Sequence, residues 1–148
     1  MRTLEIKVYK FNELPEAAKQ KALDKLYDIN VDHDWWEFTY DDAKEVDIKI
    51  NTFDIEFFDS AIIVAEKIIE KHGEKCDTYK IAKSFYDQWH KLGEDDDHDE
   101  IENEFQSDIG QDYLSMLRKE YEYRTSEKAI IETIEANDYE FTEDGEIY

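Results

Sequence analysis

The side chains that could do chemistry in this chain are mostly carboxylates, and their densest run spans residues 94–100, which also contain His98. Carboxylate oxygens suit Ca²⁺ and Mg²⁺. The run nevertheless lacks the alternating ligands, central glycine and distal glutamate of an EF-hand loop, so we interpret it as solvated charge and predict no metal site. Asp32-His33-Asp34 resembles a ligand triplet in composition only. Adjacent residues rarely all face one ion, so a helix-capping role fits this triplet better.

Other catalytic patterns are weak or missing. Cys76 is the only thiol and lies just before a predicted helix N-terminus, where a thiol can be activated, but the spacing of His72 and His90 does not relate either of them to it. The chain has no glycine-rich phosphate loop, no GxSxG and no HExxH motif. With 40 acidic residues, some pair of carboxylates can always be found, so such a pair carries little information. We predict a non-enzymatic protein without a cofactor.

The charge of the chain is strongly one-sided. Forty Asp and Glu residues face 18 Lys and Arg residues, which gives a net charge of −22 and an isoelectric point near 4.4. Such a surface argues against direct binding to nucleic acid or to an anionic membrane, because phosphates would be repelled. Residues 1–93 contain 20 acids and 14 bases, whereas residues 94–148 contain 20 acids and only four bases. The C-terminal third is therefore the acidic part.

Two interpretations of this acidity compete. The first is a solvated surface that keeps the protein soluble, and the second is imitation of the phosphates of a nucleic acid. Duplex DNA carries one charge per about 1.7 Å of axis, whereas one acid per roughly three helical residues gives one per about 4–5 Å. A single helix is too sparse. Residues 94–100, the helix after them and the C-terminal hairpin would approach the required density if they lay side by side.

The aromatic residues offer a second candidate contact. Trp35 and Trp36 open an aromatic run that extends to Tyr40 and lies beside the acidic residues Asp34 and Glu37. Such residues form the core of a domain more often than an interface, but aromatic side chains are also frequent hot spots in interfaces. We expect one of the two tryptophans to be partly exposed.

The pattern of apolar residues predicts the elements that position these groups. We expect a strand over residues 2–10, a β segment over residues 48–58 with a bulge or hairpin turn at Asn51-Thr52, and a C-terminal hairpin around Asp144-Gly145. Helices are predicted from Pro15 to near Asp28, over residues 34–45, from Ser60 to Lys71, from Asp77 or Thr78 to Leu92, over residues 101–123, and from Thr125 or Ser126 onwards. Gly73 and Gly93 are expected to end two of them.

These elements predict an α+β protein in which several amphipathic helices pack on a small antiparallel sheet. The length of 148 residues and the 41% of hydrophobic residues suit a single domain over residues 1–148. The longest apolar run, over residues 61–65, is too short for a membrane span, and residues 1–5 have no apolar signal region. We therefore expect a cytoplasmic protein.

Several blocks of the sequence are similar to a family of small acidic proteins carried by bacteriophages and mobile elements. The blocks are VYKFNEL (8–14), EAAKQKA (16–22), INVDHDWW (29–36), YLSMLRKEYEY (113–123) and NDYEFTEDG (137–145). The resemblance spans nearly the whole chain and implies phage or mobile-element origin, and hence action inside a bacterial cell. It supplies no catalytic residues.

Charge and resemblance together predict a non-enzymatic inhibitor that binds a basic bacterial nucleic-acid-binding protein and occludes its nucleic-acid site by acidic DNA mimicry, as an anti-CRISPR or anti-restriction protein would. The alternatives are an antitoxin-like protein that neutralises a basic toxin and a small metal-dependent hydrolase. The sequence also leaves homodimer formation open. The candidate partner-binding residues are Asp95, Asp96, Asp97, Asp99, Glu100, Glu102, Glu104, Asp108, Trp35 and Trp36.

Overall fold

The computed structural model describes residues 3–51 and 54–148. It confirms the α+β class, with α-helices and two antiparallel sheets of two strands each. The chain divides into two compact units, the first made of the residues up to Trp35 together with Lys119–Tyr148, and the second of Trp36–Arg118. The single domain over residues 1–148 stays a prediction. No helix in the described ranges is long and apolar enough to cross a membrane.

The first unit brings the two ends of the chain together. Strand β1 (Tyr9–Lys10) pairs antiparallel with β4 (Glu140–Phe141), and helices α1 (Glu16–Lys25) and α6 (Glu127–Ala136) pack beside them. Ser126 caps α6, as predicted, because its hydroxyl accepts a hydrogen bond from the Ala129 N–H at 3.2 Å. The buried core consists of Phe11, Leu14, Ala18, Ala22, Leu23, Ile130, Ile134 and Phe141.

The predicted N-terminal strand is wrong in extent. Residues 3–8 have no regular structure, and Leu4 and Ile6 are 85% and 58% exposed. The physical reason is that β4 contains only two residues, so it offers residues 3–8 no backbone groups with which to form further strand hydrogen bonds. Arg2, where that prediction begins, lies outside the described residues. Helix α1 is likewise shorter than predicted, since it ends at Lys25 rather than near Asp28.

The second unit packs four helical segments on a hairpin. Strands β2 (Ile48–Ile50) and β3 (Ile55–Phe57) pair antiparallel, so the predicted β segment is a hairpin. Thr52 and Phe53 lie outside the described residues. The helices are α2 (Glu37–Glu45), α3 (Ala61–Lys71), α4 (Asp77–Lys91) and α5, which extends over Asp99–Arg124 and so contributes residues to both units.

The core of the second unit fixes α5 in place. The rings of Phe85 and Phe105 stack at 4.4 Å and Phe57 lies 5.5 Å from Phe105. At Gly110 the backbone of α5 approaches β3 so closely that a Cβ would lie 3.3 Å from Ile55. The predicted stripe of α5 is confirmed at its buried positions, which are Phe105, Ile109 and Tyr113.

Several predicted helix ends differ from the structure. Neither Asp32 nor Asp34 caps α2, whose N-cap is Trp36. Helix α3 ends at Lys71 as predicted, but Gly73 and Gly93 follow C-caps that are already extended, so neither glycine has the left-handed conformation of a C-cap glycine. The N-cap of α4 is Cys76, one residue before the predicted caps. A capping residue is only a weak local preference, and helix ends vary by one or two residues around it, so the backbone path of the fold decides the final position.

Candidate functional site

Ten acidic residues of the second unit are concentrated in one stretch of the chain, which we call the acidic segment (residues 94–112). No Lys or Arg occurs between Lys91 and Arg118, so all charged residues of this stretch except His98 are carboxylates. They are Glu94, Asp95, Asp96, Asp97, Asp99, Glu100, Glu102, Glu104, Asp108 and Asp112. The predicted acidic candidates are therefore brought together, and all except the half-buried Glu102 are exposed.

Two of these acids have a local structural role. Asp96 Oδ2 accepts a hydrogen bond from the Gly93 N–H at 2.6 Å and closes the turn after α4, and Asp97 Oδ1 accepts one from the Asp99 N–H at 2.8 Å. Asp99 is the first residue of α5, so Asp97 satisfies one of the N–H groups that a helix leaves unpaired at its start. Negative charge is also favourable there because of the helix dipole. The start of the acidic segment is thus a folded turn.

Within α5, four acids recur at a spacing of four residues, at positions 100, 104, 108 and 112. This spacing places them along one face of the helix at intervals of about 6 Å. With Asp99 and Glu102, six carboxylates occupy about 20 Å of helix axis, or one per ~3–4 Å. One strand of a nucleic acid carries one charge per 3.4 Å of axis. Counted around the whole helix, this part of α5 thus has about the charge per ångström of one strand, whereas the face at positions 100, 104, 108 and 112 alone has one charge per about 6 Å.

The carboxylates from Glu94 to Asp108 are not paired with bases in the described part of the chain. Within residues 3–51 and 54–148, none of these acids lies within ion-pair distance of a Lys or Arg. Like charges four residues apart destabilise a helix by about 0.2–0.5 kcal/mol per pair. The face at positions 100, 104, 108 and 112 contains three such pairs. Packing of α5 against the core therefore outweighs the repulsion between its own carboxylates.

Beside this acidic face lies a groove between α4 and α5. Its larger cavity has a volume of about 740 Å³ and is lined by Asp108 and Asp112 of α5 and by Asp77, Lys80 and Ile81 of α4, among others. A second cavity of about 270 Å³ continues along the same two helices past Glu104 and Ile101. The lining of the larger cavity thus mixes carboxylates with the basic side chains of Lys80 and Arg118 and with the apolar Ile81 and Leu114.

The aromatic candidates do not form one cluster. Trp35 belongs to the first unit, where its ring lies 5.8 Å from that of Tyr121, and Trp36 belongs to the second, where it is 37% exposed. The expectation of one partly exposed tryptophan is confirmed. The sequence analysis did not select Phe38, although it is 85% exposed. Its position about 200° around α2 from the half-buried Tyr40 is the signal that could have identified it.

A polar network in the second unit connects four elements. His72 Nδ1 lies 2.6 Å from the Thr78 hydroxyl, and His72 Nε2 lies 3.3 Å from Asp42 Oδ2, without the alignment of a hydrogen bond. The Tyr113 hydroxyl donates to the same carboxylate oxygen at 3.3 Å. Burial, reinforced by the Asp42 carboxylate, raises the pKa of Tyr113.

Thr78, His72 and Asp42 follow one another in the order hydroxyl, imidazole and carboxylate, which is also the order of a nucleophile, a base and an acid in a catalytic triad. The geometry of the network nevertheless suits a structural role. Thr78 is only 3% exposed, so a substrate cannot reach its hydroxyl in this conformation. The four side chains come from α2, the end of α3, the start of α4 and α5, and they therefore join these elements. Cys76 is exposed as the N-cap of α4.

The metal-ligating residue types are dispersed in the described parts of the chain. His33 Nδ1 lies 3.4 Å from Asp32 Oδ1 on an exposed turn, and the ring of His98 packs 4.9 Å from that of Trp89. Among the described residues, no group of three or more His, Cys, Asp or Glu side chains is arranged to hold a metal ion.

Comparisons with protein-family models, with curated proteins and with solved structures find no match for this chain.

Proposed function

We propose that this protein is a non-enzymatic inhibitor of phage type that binds a basic nucleic-acid-binding protein in the cytoplasm of a bacterial host. The observation that carries the proposal is the acidic segment, in which ten carboxylates follow one another without a Lys or Arg. Those from Glu94 to Asp108 have no ion-pair partner among the described residues. A charged surface that stays unpaired in the folded protein is available for a partner of opposite charge.

The mechanism that we propose is occlusion. A cleft that binds nucleic acid is lined by Lys and Arg side chains, and its affinity comes largely from neutralising phosphates and releasing counterions. The carboxylates of α5, at a density near that of one strand, would occupy such a cleft in place of the phosphates. Charge complementarity mainly accelerates association, whereas aromatic contacts would add specificity, and the exposed rings of Trp36 and Phe38 are candidates for that role.

The bacterial setting of this proposal comes from the resemblance of the sequence to small acidic proteins of phages and mobile elements. Under this proposal, host defence enzymes of the CRISPR or restriction type are the leading class of partner. The same acidic face would also suit a basic toxin, so an antitoxin role is the second candidate.

Capture from a bacterial lysate tests the proposal. The tagged protein is immobilised, washed at a series of salt concentrations, and its bound proteins are identified by mass spectrometry. We expect a basic nucleic-acid-binding protein that is retained at low salt, released as the salt concentration rises, and displaced by added nucleic acid. Recovery of a small basic toxin without nucleic-acid competition would favour the antitoxin role. Recovery of the same proteins by a variant with Glu100→Gln, Glu104→Gln and Asp108→Asn would contradict mimicry.

A further inference from the structure

The segment over residues 3–8 has the sequence of a strand but no strand partner in the described part of its own chain. Leu4, Ile6 and Val8 alternate with Glu5 and Lys7, and the segment leads directly into β1. Leu4 and Ile6 are nevertheless the most exposed apolar side chains of this segment, because among residues 3–10 only Tyr9 and Lys10 pair with β4. An unpaired strand next to a sheet is a template for pairing with another chain.

The charges of the segment are complementary to themselves. When two copies run antiparallel about a two-fold axis at Ile6, Ile6 faces its own copy, Leu4 faces Val8, and Glu5 faces Lys7 twice. Moving the axis to Glu5 places two glutamates opposite each other, and moving it to Lys7 does the same with two lysines. A shift of the pairing by one residue places apolar side chains opposite charged ones. Only the register centred on Ile6 pairs every position favourably.

We infer that residues 4–8 form an antiparallel strand pair with the same segment of a second copy, so that the protein forms a two-fold symmetric homodimer. This contact is isologous, with the same patch used on both copies. It covers the apolar face of Leu4, Ile6 and Val8, and it supplies hydrogen bonds to backbone groups that lie outside the β1–β4 ladder. A second copy is favoured over an unrelated strand because, in the register centred on Ile6, the segment places apolar residues opposite apolar residues and Glu5 opposite Lys7 of an identical segment.

The dimer and the proposed inhibitor complex respond to salt in opposite ways. Each copy carries a net charge of −22, so long-range repulsion opposes dimerisation, and salt screens this repulsion. Dimerisation should therefore strengthen as the salt concentration rises, whereas binding to a basic partner should weaken. The two associations are separable, and the inference does not depend on the proposed function.

Charge reversal tests the dimer and its register. Glu5→Lys places lysines opposite Lys7, and Lys7→Glu places glutamates opposite Glu5, so each variant alone should raise the dissociation constant of the dimer about tenfold. In a mixture of the two variants, both cross-strand positions again pair Lys with Glu, so a heterodimer should form with nearly the affinity of the parent. Sedimentation velocity over a range of protein and salt concentrations measures these equilibria.

Two controls complete the experiment. Lys44→Glu makes the same charge change as Lys7→Glu on the exposed face of α2 and should leave the dimer unchanged. Ile6→Pro removes a backbone donor at the centre of the ladder and should abolish the dimer, while circular dichroism should show an intact fold because Ile6 lies outside the core. A parent that stays monomeric at all concentrations, or a dimer that the mixture of variants fails to restore, would overturn the inference.

Discussion

The acidic segment and the C-terminal turn (residues 142–146) are both rich in carboxylates, but the structure treats them in opposite ways. In the turn, Glu146 Oε1 lies 2.7 Å from Lys25 Nζ, and Lys21 Nζ lies 3.7 Å from both Asp144 and Glu146. In the acidic segment, the carboxylates from Glu94 to Asp108 have no such partner among the described residues. The difference shows that equal density of acids in a sequence does not mean equal charge presented to a partner.

The ion pairs of the turn reduce the charge that the C-terminal hairpin could present to a partner. Lys21 and Lys25 are one helical turn apart in α1, so they form a basic pair on the same face of that helix and contact the turn. The hydrogen bond from the Thr142 hydroxyl, followed by Lys21, lowers the pKa of Asp144, and Lys25 lowers that of Glu146. We therefore attribute a structural role to Asp144 and Glu146, whereas the acidic segment keeps the binding role that we propose for it.

The largest effect that we predict comes from the core beneath the acidic segment. Phe105→Asp buries an unpaired charge against Phe85 and Phe57, which costs several kcal/mol of a total stability of about 5–15 kcal/mol. We expect loss of the cooperative thermal transition of the second unit, measured by circular dichroism and differential scanning calorimetry. Asn103→Asp adds the same charge at an exposed position of α5 and should leave the transition within a few degrees of the parent. Similar melting of the two variants would show that the assigned core is wrong.

The glycines of the two regions should respond differently to alanine. Gly145 has a φ of 89°, and a Cβ there would lie 2.3 Å from the Ala18 carbonyl oxygen, so Gly145→Ala should destabilise the first unit by about 2 kcal/mol or more. At Gly93 a Cβ meets only the Asp96 side chain, at 3.3 Å, and that side chain can move. Gly93→Ala should therefore change the stability by less than about 1 kcal/mol. Denaturant unfolding compares the two, and a larger loss for Gly93→Ala would contradict this account of the turns.

Removing single charges should change stability with opposite signs in the two regions. Glu104→Gln relieves repulsion with Glu100 and with Asp108, so we expect a gain of about 0.2–0.5 kcal/mol per neighbour. Glu146→Gln removes an ion pair with Lys25 and should lower the melting temperature. Matched melting curves at low ionic strength measure both changes. Destabilisation by Glu104→Gln would mean that this carboxylate has a stabilising partner, in conflict with the comparison.

The smallest predicted effect is on acid titration. The pKa of Glu146 is lowered from an ordinary value of 4.5 in the folded protein, chiefly by its hydrogen bond from Lys25. Because the unfolded state then binds the proton more tightly, the stability from this group is present above pH 4.5 and is lost as the pH falls through the folded pKa. Lys25→Gln should raise the pKa of Glu146, as followed by carboxyl carbon NMR shifts. An unchanged titration curve in the variant would show that the pair does not form in solution.

The comparison also shows what the sequence could predict and what it could not. The apolar stripe of Phe105, Ile109 and Tyr113 predicted α5, and Ser126 predicted the start of α6, because both signals are local. The predicted strand over residues 2–10 was too long, since only Tyr9–Lys10 of its described residues form a strand. Alternation of apolar residues identifies the apolar face of a strand and does not show whether a partner strand is present.

Contacts between distant residues were the main limit on predicting the candidate site. The acidic candidates were found because they are contiguous in the sequence. Asp144 and Glu146 form ion pairs with lysines that occur more than 100 residues earlier in the chain. Only the fold brings these lysines close to the two carboxylates. The network of Asp42, His72, Thr78 and Tyr113 was missed for the same reason, since its members come from four separate elements.

The most direct test of the account is the association rate of the captured partner with two matched variants. The first variant has Glu100→Gln, Glu104→Gln and Asp108→Asn in the acidic segment, and the second has Glu143→Gln, Asp144→Asn and Glu146→Gln in the C-terminal turn. Each removes three charges, so the net charge is the same in both. Rates are measured by surface plasmon resonance over a salt series, after melting curves have shown that both variants are folded.

If the acidic segment binds in place of phosphates, the first variant should associate severalfold more slowly at low salt and with a weaker dependence on salt, since unlike charges steer association and salt screens them. The second variant should associate at nearly the rate of the parent. Equal slowing of both variants would show that only net charge matters, and unchanged rates for the first variant would show that the acidic segment is not the binding surface. Either result would contradict the account.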